Sequence, residues 1–484
     1  MFAAEKPMPN RSDSSRTPVR FIAGIGTLGA IGVAVAGMAP TLAMNLNPQE
    51  PAQHVGRVIP LVFALSTVVV LLVAWCFARL AREHANAGSA YGFVSATLGP
   101  RAGLVAGWTL LGTYLAFGMV GIGAVGLFGS NLLQRLGLVQ HSASFPLTIL
   151  AALVIFPLSI LSSRRTVTFL LVLEGLAVLA MLVVSAGVIL RVLQGHGPQG
   201  DPPLLDLFIP AQGVGLSSIA LGLSFGFLSF AGFEQVATLG EEVTDSRRIP
   251  QVLIGSVLGA GVVFTLVTSA ETLGFGTDAA GTAAFTASTS LLADLSTRYF
   301  GERVGRLLDV FAIFSALGGG LAAMFASARI LFALSRDVFP HLAMARLSEK
   351  TGSPRHAALV MLAANLTGYC IMCLVFKASG SDAFFWGSTL AALALLVAYL
   401  LAVLAAARSV FASGVRRFEI LIPGFAALTI LYTLWVNVYP PQPGAYRVIP
   451  WIVAAWVAAP LLATLVFPSL TKKVQGGFSS RRAK

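Results

Sequence analysis

The sequence predicts an all-α integral membrane protein with twelve transmembrane helices, on the strength of three observations. Of its 484 residues, 56% are hydrophobic and only 11% are charged, whereas soluble domains carry about 25% charged residues. The apolar residues form long runs, and a membrane-spanning helix needs roughly 20 predominantly apolar residues. The segments that connect these runs also alternate between being rich and being poor in lysine and arginine. Together these features favour a chain whose apolar surface faces lipid.

Twelve apolar runs qualify as spans. Their predicted limits are 21–45, 57–80, 102–130, 145–161, 166–191, 215–239, 249–272, 307–335, 357–376, 384–407, 418–438 and 448–467. With the N-terminus inside the cell, 24 of the 32 lysines and arginines fall on the cytoplasmic side and 8 on the other. Such a bias sets the orientation of membrane helices. It predicts a multi-pass protein of the cell (inner or plasma) membrane whose tails, 1–20 and 468–484, are both cytoplasmic.

Other classes of protein fit the sequence poorly. The net charge of +12 comes from basic residues in short loops, which indicates topology and not nucleic-acid binding. Cys370 and Cys373 stand in an apolar run with no polar neighbours, and the six histidines fall in loops or at span ends, so no metal site and no cofactor are predicted. No catalytic constellation and no nucleotide-binding loop are apparent, so no catalytic residue is predicted and the protein is not expected to be an enzyme.

The first span carries a helix-breaking residue in its middle. Pro40 follows the segment AGMA, and proline lacks an N–H group and clashes with the preceding helical turn. It suits the first turn of a new helix. We therefore predict one helix ending near Ala36 and a second beginning near Pro40. Free N–H groups around Pro40 and Thr41 suit a carboxylate, because they begin a helix.

The sixth span has a similar signal, with Gly222, Gly226 and Gly232 followed by Glu234. A break near Phe230–Gly232 puts Glu234 in the first turn of an inner half-helix, where the helix dipole favours a carboxylate. The free carbonyl groups next to the two breaks suit an ammonium group, and they belong to Val35, Ala36, Ser229 and Phe230.

Spans 1 and 6 occupy corresponding positions in two five-helix halves, 21–191 and 215–407, of opposite topology, followed by helices 11 and 12 at 418–467. Interrupted spans in corresponding positions are typical of transporters with a site at the bilayer midplane. The alternative is that glycine and proline only adjust helix packing.

The non-membrane segment 275–306 is either a lid over an outward mouth or a plain loop.

Three segments resemble the amino acid–polyamine–organocation transporter superfamily: SFAGFEQVATLGEEVTDSRRIPQ at 229–251, AGSAYGFVSATLGPRAGLVAGW at 87–108 and FASARILFALSRDVFPHLA at 325–343. The resemblance covers roughly residues 21–465. It implies an inverted five-helix repeat (LeuT-like) with two extra helices, discontinuous helices 1 and 6, and alternating access. Carried over by position, it implies a substrate site at Ala36, Gly37, Met38, Ala39 and Thr41, completed by Leu228, Ser229, Phe230, Ala231 and Gly232. The segment AGMAP departs from the Gly-Ser-Gly type of break usual in the family.

Two buried acidic residues are candidates for coupling or gating. Glu174 stands near the middle of span 5, and an isolated carboxylate there is expected to be protonated part of the time, because burial disfavours charge. The alternative is a hydrogen-bonded Glu174 that only holds its helix in register. Glu234 either couples and gates or caps the inner half-helix, and Asp309 is expected to be structural. Protons, or exchange without an ion, are favoured over sodium.

The resemblance implies a secondary active transporter, or permease, for an amino acid in the lipid bilayer, either proton-coupled or exchanging. The alternatives are an amine or polyamine carrier and a non-transporting amino acid sensor of the same fold. No oligomeric state is predicted.

Overall fold

The computed structural model describes residues 26–84, 90–161, 164–199, 204–239, 246–348, 352–414 and 417–482. Over these ranges the chain is helical and contains no strand. The α-helices are α1 (Thr27–Met38), α2 (Pro40–Leu46), α3 (Gln49–Val55), α4 (Ile59–Glu83), α5 (Ala90–Leu98), α6 (Pro100–Arg135), α7 (Ser144–Leu161), α8 (Arg164–Arg191), α9 (Leu216–Ser229), α10 (Ile249–Phe275), α11 (Ala279–Ala287), α12 (Leu291–Phe300), α13 (Glu302–Val338), α14 (Arg355–Cys370), α15 (Gly380–Ser413), α16 (Leu421–Val438), α17 (Ile449–Val466) and α18 (Ser469–Arg482).

The all-helical membrane architecture is confirmed. Within the described ranges, ten helical segments are long and apolar enough to cross a membrane, and two shorter apolar helices lie at Ser144–Ile160 and Leu216–Ser229. Each of the twelve runs predicted from the sequence overlaps one of these helical segments. The total of twelve spans and the inverted repeat stay predictions.

The longest helices form the centre of the bundle. α6 packs against both α13 and α15, and α10 packs against α4. α6 and α13 come into close contact at Gly121 and Gly320, where a Cβ atom added to Gly121 would lie only 2.5 Å from the Cα atom of Gly320. Small residues at such crossings let membrane helices pack backbone to backbone. This central packing holds the elements that surround the site.

The first span is interrupted at Ala39. α1 ends at Met38, two residues later than the sequence suggests, and Ala39 adopts the left-handed conformation with φ 43° and ψ 63°. Pro40 then occupies the first turn of α2, where its missing N–H group costs nothing. The chain therefore changes direction at an alanine and starts a new helix immediately.

The sixth span is also interrupted. α9 ends at Ser229, and the chain turns through Gly232, whose φ of 111° is one that residues with a side chain rarely adopt. The segment that follows, Phe233–Leu239, is a 3-10 helix, which differs from the inner α-helix expected from the sequence. Residues 240–245, which belong to the segment 229–251 that resembles the transporter superfamily, lie outside the described ranges.

The two interruptions touch each other. A Cβ atom on Gly232 would lie 2.3 Å from the carbonyl carbon of Gly37, and one on Gly37 would lie 3.0 Å from the carbonyl oxygen of Gly232. Real Cβ atoms do not approach so closely. The backbone of α1 and the turn after α9 therefore pack directly against each other.

The segment predicted as a lid or a loop contains two helices, α11 and α12. The short link between them is bonded to the first span, because Ser290 Oγ and the Leu292 N–H donate to Asn45 Oδ1 over 3.0 and 3.1 Å. Gln49 Nε2 also donates to the Ser288 carbonyl over 2.9 Å. These bonds fix the link against α2 and α3.

Candidate functional site

Glu174 of α8 binds the start of α2. Its Oε1 atom accepts from the Thr41 N–H over 3.3 Å and from Ser315 Oγ over 3.0 Å, and the Leu42 N–H donates to Ser315 Oγ over 3.0 Å. These are the N–H groups that the sequence assigned to a substrate carboxylate. In this conformation a carboxyl group of the protein and a serine hydroxyl on α13 take that position. Glu174 is therefore hydrogen-bonded, as in the second of the two interpretations of the sequence, and joins α2, α8 and α13.

The break leaves carbonyl groups of α1 without their usual helical donors. In a continuous helix, residues 40, 41 and 42 would donate to the carbonyls of Ala36, Gly37 and Met38. Pro40 has no N–H group, and Thr41 and Leu42 donate elsewhere. Three successive carbonyls are thus released from the helical pattern at one place, and carbonyl oxygens suit an ammonium group.

Two of the carbonyls expected to be free are in fact bonded. The Val35 carbonyl accepts from the Ala39 N–H over 3.0 Å, and the Phe230 carbonyl accepts from the Phe233 N–H over 3.3 Å. The first is an ordinary α-helical bond in the last turn of α1, and the second is a bond across three residues in the turn after α9.

Glu234 lies buried behind the second break and accepts three hydrogen bonds. Tyr114 of α6 donates to Oε1, Tyr399 of α15 donates to Oε2 over 2.9 Å, and the Gly232 N–H donates to Oε2 over 3.0 Å. Phe233 and Tyr399 pack with ring centroids 5.8 Å apart. Glu234 consequently ties the turn after α9 to two long helices of the bundle.

A small cavity, with room for about one water molecule in this conformation, lies beside the first break. Five elements and the residue after α2 enclose it: α1, α2, α6, α9 and α15 together with Asn47. Nine of the ten lining residues are buried, and Phe117 is half-buried. The lining residues are Met38, Leu42, Ala43, Asn47, Phe117, Val120, Leu228, Phe384, Ser388 and Ala391.

Only some of the residues predicted to bind substrate line this cavity. Met38 and Leu228 line the cavity. The other eight lie along the two breaks and are not among its lining residues; they are Ala36, Gly37, Ala39, Thr41, Ser229, Phe230, Ala231 and Gly232. Ser229 remains connected to the cavity, because its hydroxyl accepts from Asn47 Nδ2 over 2.9 Å.

Several buried polar residues escaped the sequence reasoning. Ser315, Tyr114 and Tyr399 are the partners of the two acidic residues. The Ser388 hydroxyl is fully buried, lines the cavity and has no hydrogen-bond partner among the described residues. Glu271 of α10 is also fully buried, and neither of its oxygens has a partner in the described part of the chain.

Asp309 takes part in an ion pair near the start of α13. Arg135 Nε lies 2.8 Å from Asp309 Oδ2, and the same guanidinium group pairs with Asp294 of α12. Asn131 Nδ2, one turn earlier on α6, donates to the Thr289 carbonyl over 3.0 Å. The link between α11 and α12 is thereby joined to α6 and α13 as well.

A bundle of apolar helices that encloses a cavity at an interrupted span is the architecture of a membrane carrier. The profile of the amino acid permease family matches residues 28–439. The chain belongs to this family.

The relatives of the chain are named for different substrates. The chain is 29% identical to the branched-chain amino acid permease BcaP of Lactococcus lactis over 259 residues, 49% of this chain and 53% of the relative. It is 26% identical to the low-affinity putrescine importer PlaP of Escherichia coli K12 over 284 residues, 58% of this chain and 60% of the relative. It is 23% identical to the chloroplastic cationic amino acid transporter 7 of Arabidopsis thaliana, over 68% of this chain and 57% of that protein. The chain thus matches between half and two thirds of the length of each.

Proposed function

We propose that the protein is a secondary active transporter that moves an amino acid across the membrane by alternating access. The observation that carries this proposal is the cavity beside the interrupted first span. An amino acid has an ammonium and a carboxylate group next to each other. The released carbonyl groups at the break can accept hydrogen bonds from the ammonium group. The N–H groups of Thr41 and Leu42 can donate to the carboxylate group when Glu174 and Ser315 leave them.

Glu174 is the group we assign to coupling. A substrate carboxylate and the Glu174 carboxylate would compete for the same N–H groups, and two carboxylates at one site repel each other. Protonation of Glu174 removes that repulsion. Proton and substrate binding are then linked, and the protein carries them together or, without a gradient, exchanges one amino acid for another.

Two sets of hydrogen bonds follow the breaks in the chain, and a transport cycle must break contacts of this kind. In the first set, Asn45 accepts from Ser290 and from the Leu292 N–H. In the second set, Glu234 binds Tyr114 and Tyr399. We assign the first set to an outer gate and the second to an inner gate, with both termini in the cytoplasm of a cell whose inner or plasma membrane holds the protein.

The alternative function is an amine or polyamine carrier, which the similarity to a putrescine importer favours. It requires an acidic side chain for the second amino group of the substrate. Glu234 is the acidic residue nearest in sequence to the second break, but its oxygens are bonded to two tyrosines and to Gly232.

The test is transport by the purified protein in liposomes. Labelled amino acids and putrescine are offered with and without a proton gradient, and both accumulation and exchange are measured. Exchange of at least one amino acid is expected. If no amino acid exchanges or accumulates while protein-free liposomes stay tight, the amino acid assignment fails; putrescine transport alone would support the alternative.

A further inference from the structure

The cavity contains no charged side chain among its ten lining residues. Eight of the ten are apolar, and the two polar ones, Asn47 and Ser388, are neutral. The two buried carboxylates near the breaks are bonded to the backbone, Glu174 to the start of α2 and Glu234 to the turn after α9. A cation placed in this cavity would therefore lose its water without gaining a counter-charge.

Five of the lining residues belong to two helix faces. Phe384, Ser388 and Ala391 are spaced four and three residues apart on α15, so they share one helix face. Phe117 and Val120 do the same on α6, three residues apart. Leu228 lines the cavity from α9, and Met38, whose carbonyl is among those released at the end of α1, lines it from the first break.

The size of the cavity also restricts its occupant. In this conformation it has room for only about one water molecule, so the helices around it must separate before a substrate enters. A substrate in the widened site would have its polar end at the break and its remaining part against α6 and α15. Ala391, fully buried at the inner end of the α15 face, leaves room that a larger side chain would fill.

From this geometry we infer that the site selects amino acids with uncharged, apolar side chains and rejects cationic amino acids and diamines. This inference rests on the proposed function and specifies its substrate. Ala391 and Val120 set the length of side chain that fits.

The inference follows from the relative costs of burial. An apolar side chain gains free energy when it enters such a cavity, because apolar surface leaves water. An ammonium group buried there without a partner loses several kcal/mol. Selectivity against lysine and putrescine needs no repulsive group, since the missing counter-charge is sufficient.

The first experiment measures kcat/KM for alanine, leucine, phenylalanine, lysine and putrescine with the full-length protein in liposomes. We expect leucine to exceed lysine and putrescine by at least about tenfold, because only the latter two bury an unpaired charge. Lysine or putrescine transported as efficiently as leucine would overturn the inference and leave the proposed transport function standing. Absence of transport for all five compounds would instead refute the proposed function.

A pair of neighbouring variants tests the position of the side-chain site. Ala391→Val adds two methyl groups to a lining residue, whereas Ala392→Val adds the same volume to the next residue, which is equally buried but does not line the cavity. We expect the ratio of kcat/KM for phenylalanine to that for alanine to fall about tenfold or more in Ala391→Val, the range that one or two methylene groups produce in a binding pocket. It stays unchanged in Ala392→Val. An unchanged ratio in Ala391→Val, or the same fall in both variants, would overturn the cavity assignment. If Ala391→Val fails to fold, the substrate panel on the unaltered protein still decides.

Discussion

Replacing Glu174 by glutamine separates its charge from its hydrogen bonds. The amide oxygen of glutamine can accept the two bonds that Glu174 Oε1 now accepts, from the Thr41 N–H and from Ser315 Oγ. The free energy of unfolding should therefore change by less than about 1 kcal/mol. Glutamine cannot take up or release a proton, so the variant should lose proton coupling and keep the site.

The expected accumulation of substrate follows from the size of the proton gradient. One proton carried per substrate, driven by a gradient of one pH unit, supplies about 1.4 kcal/mol, which corresponds to tenfold accumulation. In liposomes with an acidic exterior, the unaltered protein should accumulate its amino acid about tenfold. Glu174→Gln should equilibrate it without accumulation, at an exchange rate close to that of the unaltered protein.

Glu174→Ala is the matched control. It removes the acceptor and leaves the Thr41 N–H and the Ser315 hydroxyl unsatisfied, at about 1–3 kcal/mol for each. Its apparent melting temperature should fall, and exchange should fall with it. The coupling role would be refuted if Glu174→Gln still accumulates substrate, and a purely structural role would be supported if Glu174→Gln loses accumulation and exchange together.

Three further substitutions test the surroundings of the site. Gly232→Ala should greatly reduce the yield of folded protein, because its Cβ atom would meet the backbone of Gly37 at 2.3 Å and φ is 111°; normal yield and melting temperature would contradict the close contact. Tyr399→Phe should destabilise the protein by about 1.5–3 kcal/mol in denaturant titration, since it removes a hydrogen bond to the Glu234 carboxyl group; an unchanged midpoint would mean that this bond contributes nothing. Glu271→Met should raise the melting temperature, because it replaces a buried, unpartnered carboxyl group with an apolar side chain; a lower melting temperature would indicate that Glu271 has a stabilising partner.

Local backbone chemistry explains what the sequence could predict. Pro40 cannot continue a helix, so a break near it was predictable within two residues. Gly232 marked the second break, because its conformation excludes most other residues. The all-helical membrane fold followed from the lengths of the apolar runs, each of which overlaps a helix.

Partners distant in the chain were not predictable. Tyr114 and Tyr399 are 120 and 165 residues from the Glu234 that they bind, and no periodicity relates such positions. Ser388 resembles any small residue in an apolar helix, and only the packing of α15 shows that it lines the cavity. Glu271 lies near the end of an apolar run, where an acidic residue would ordinarily reach water. The structure buries it completely.

The central claim is that the transported amino acid binds in the cavity beside the first break, and protection of an introduced thiol tests it most directly. The native Cys76, Cys370 and Cys373 are first replaced by alanine, and Ser388→Cys and Thr389→Cys are then made separately in that background. The side chain at 388 lines the cavity, whereas that at 389 does not. During exchange, the amino acid identified in the liposome screen should slow modification of Ser388→Cys by a small membrane-permeant maleimide and leave Thr389→Cys unaffected. Equal rates of modification of Ser388→Cys with and without saturating substrate would contradict the account.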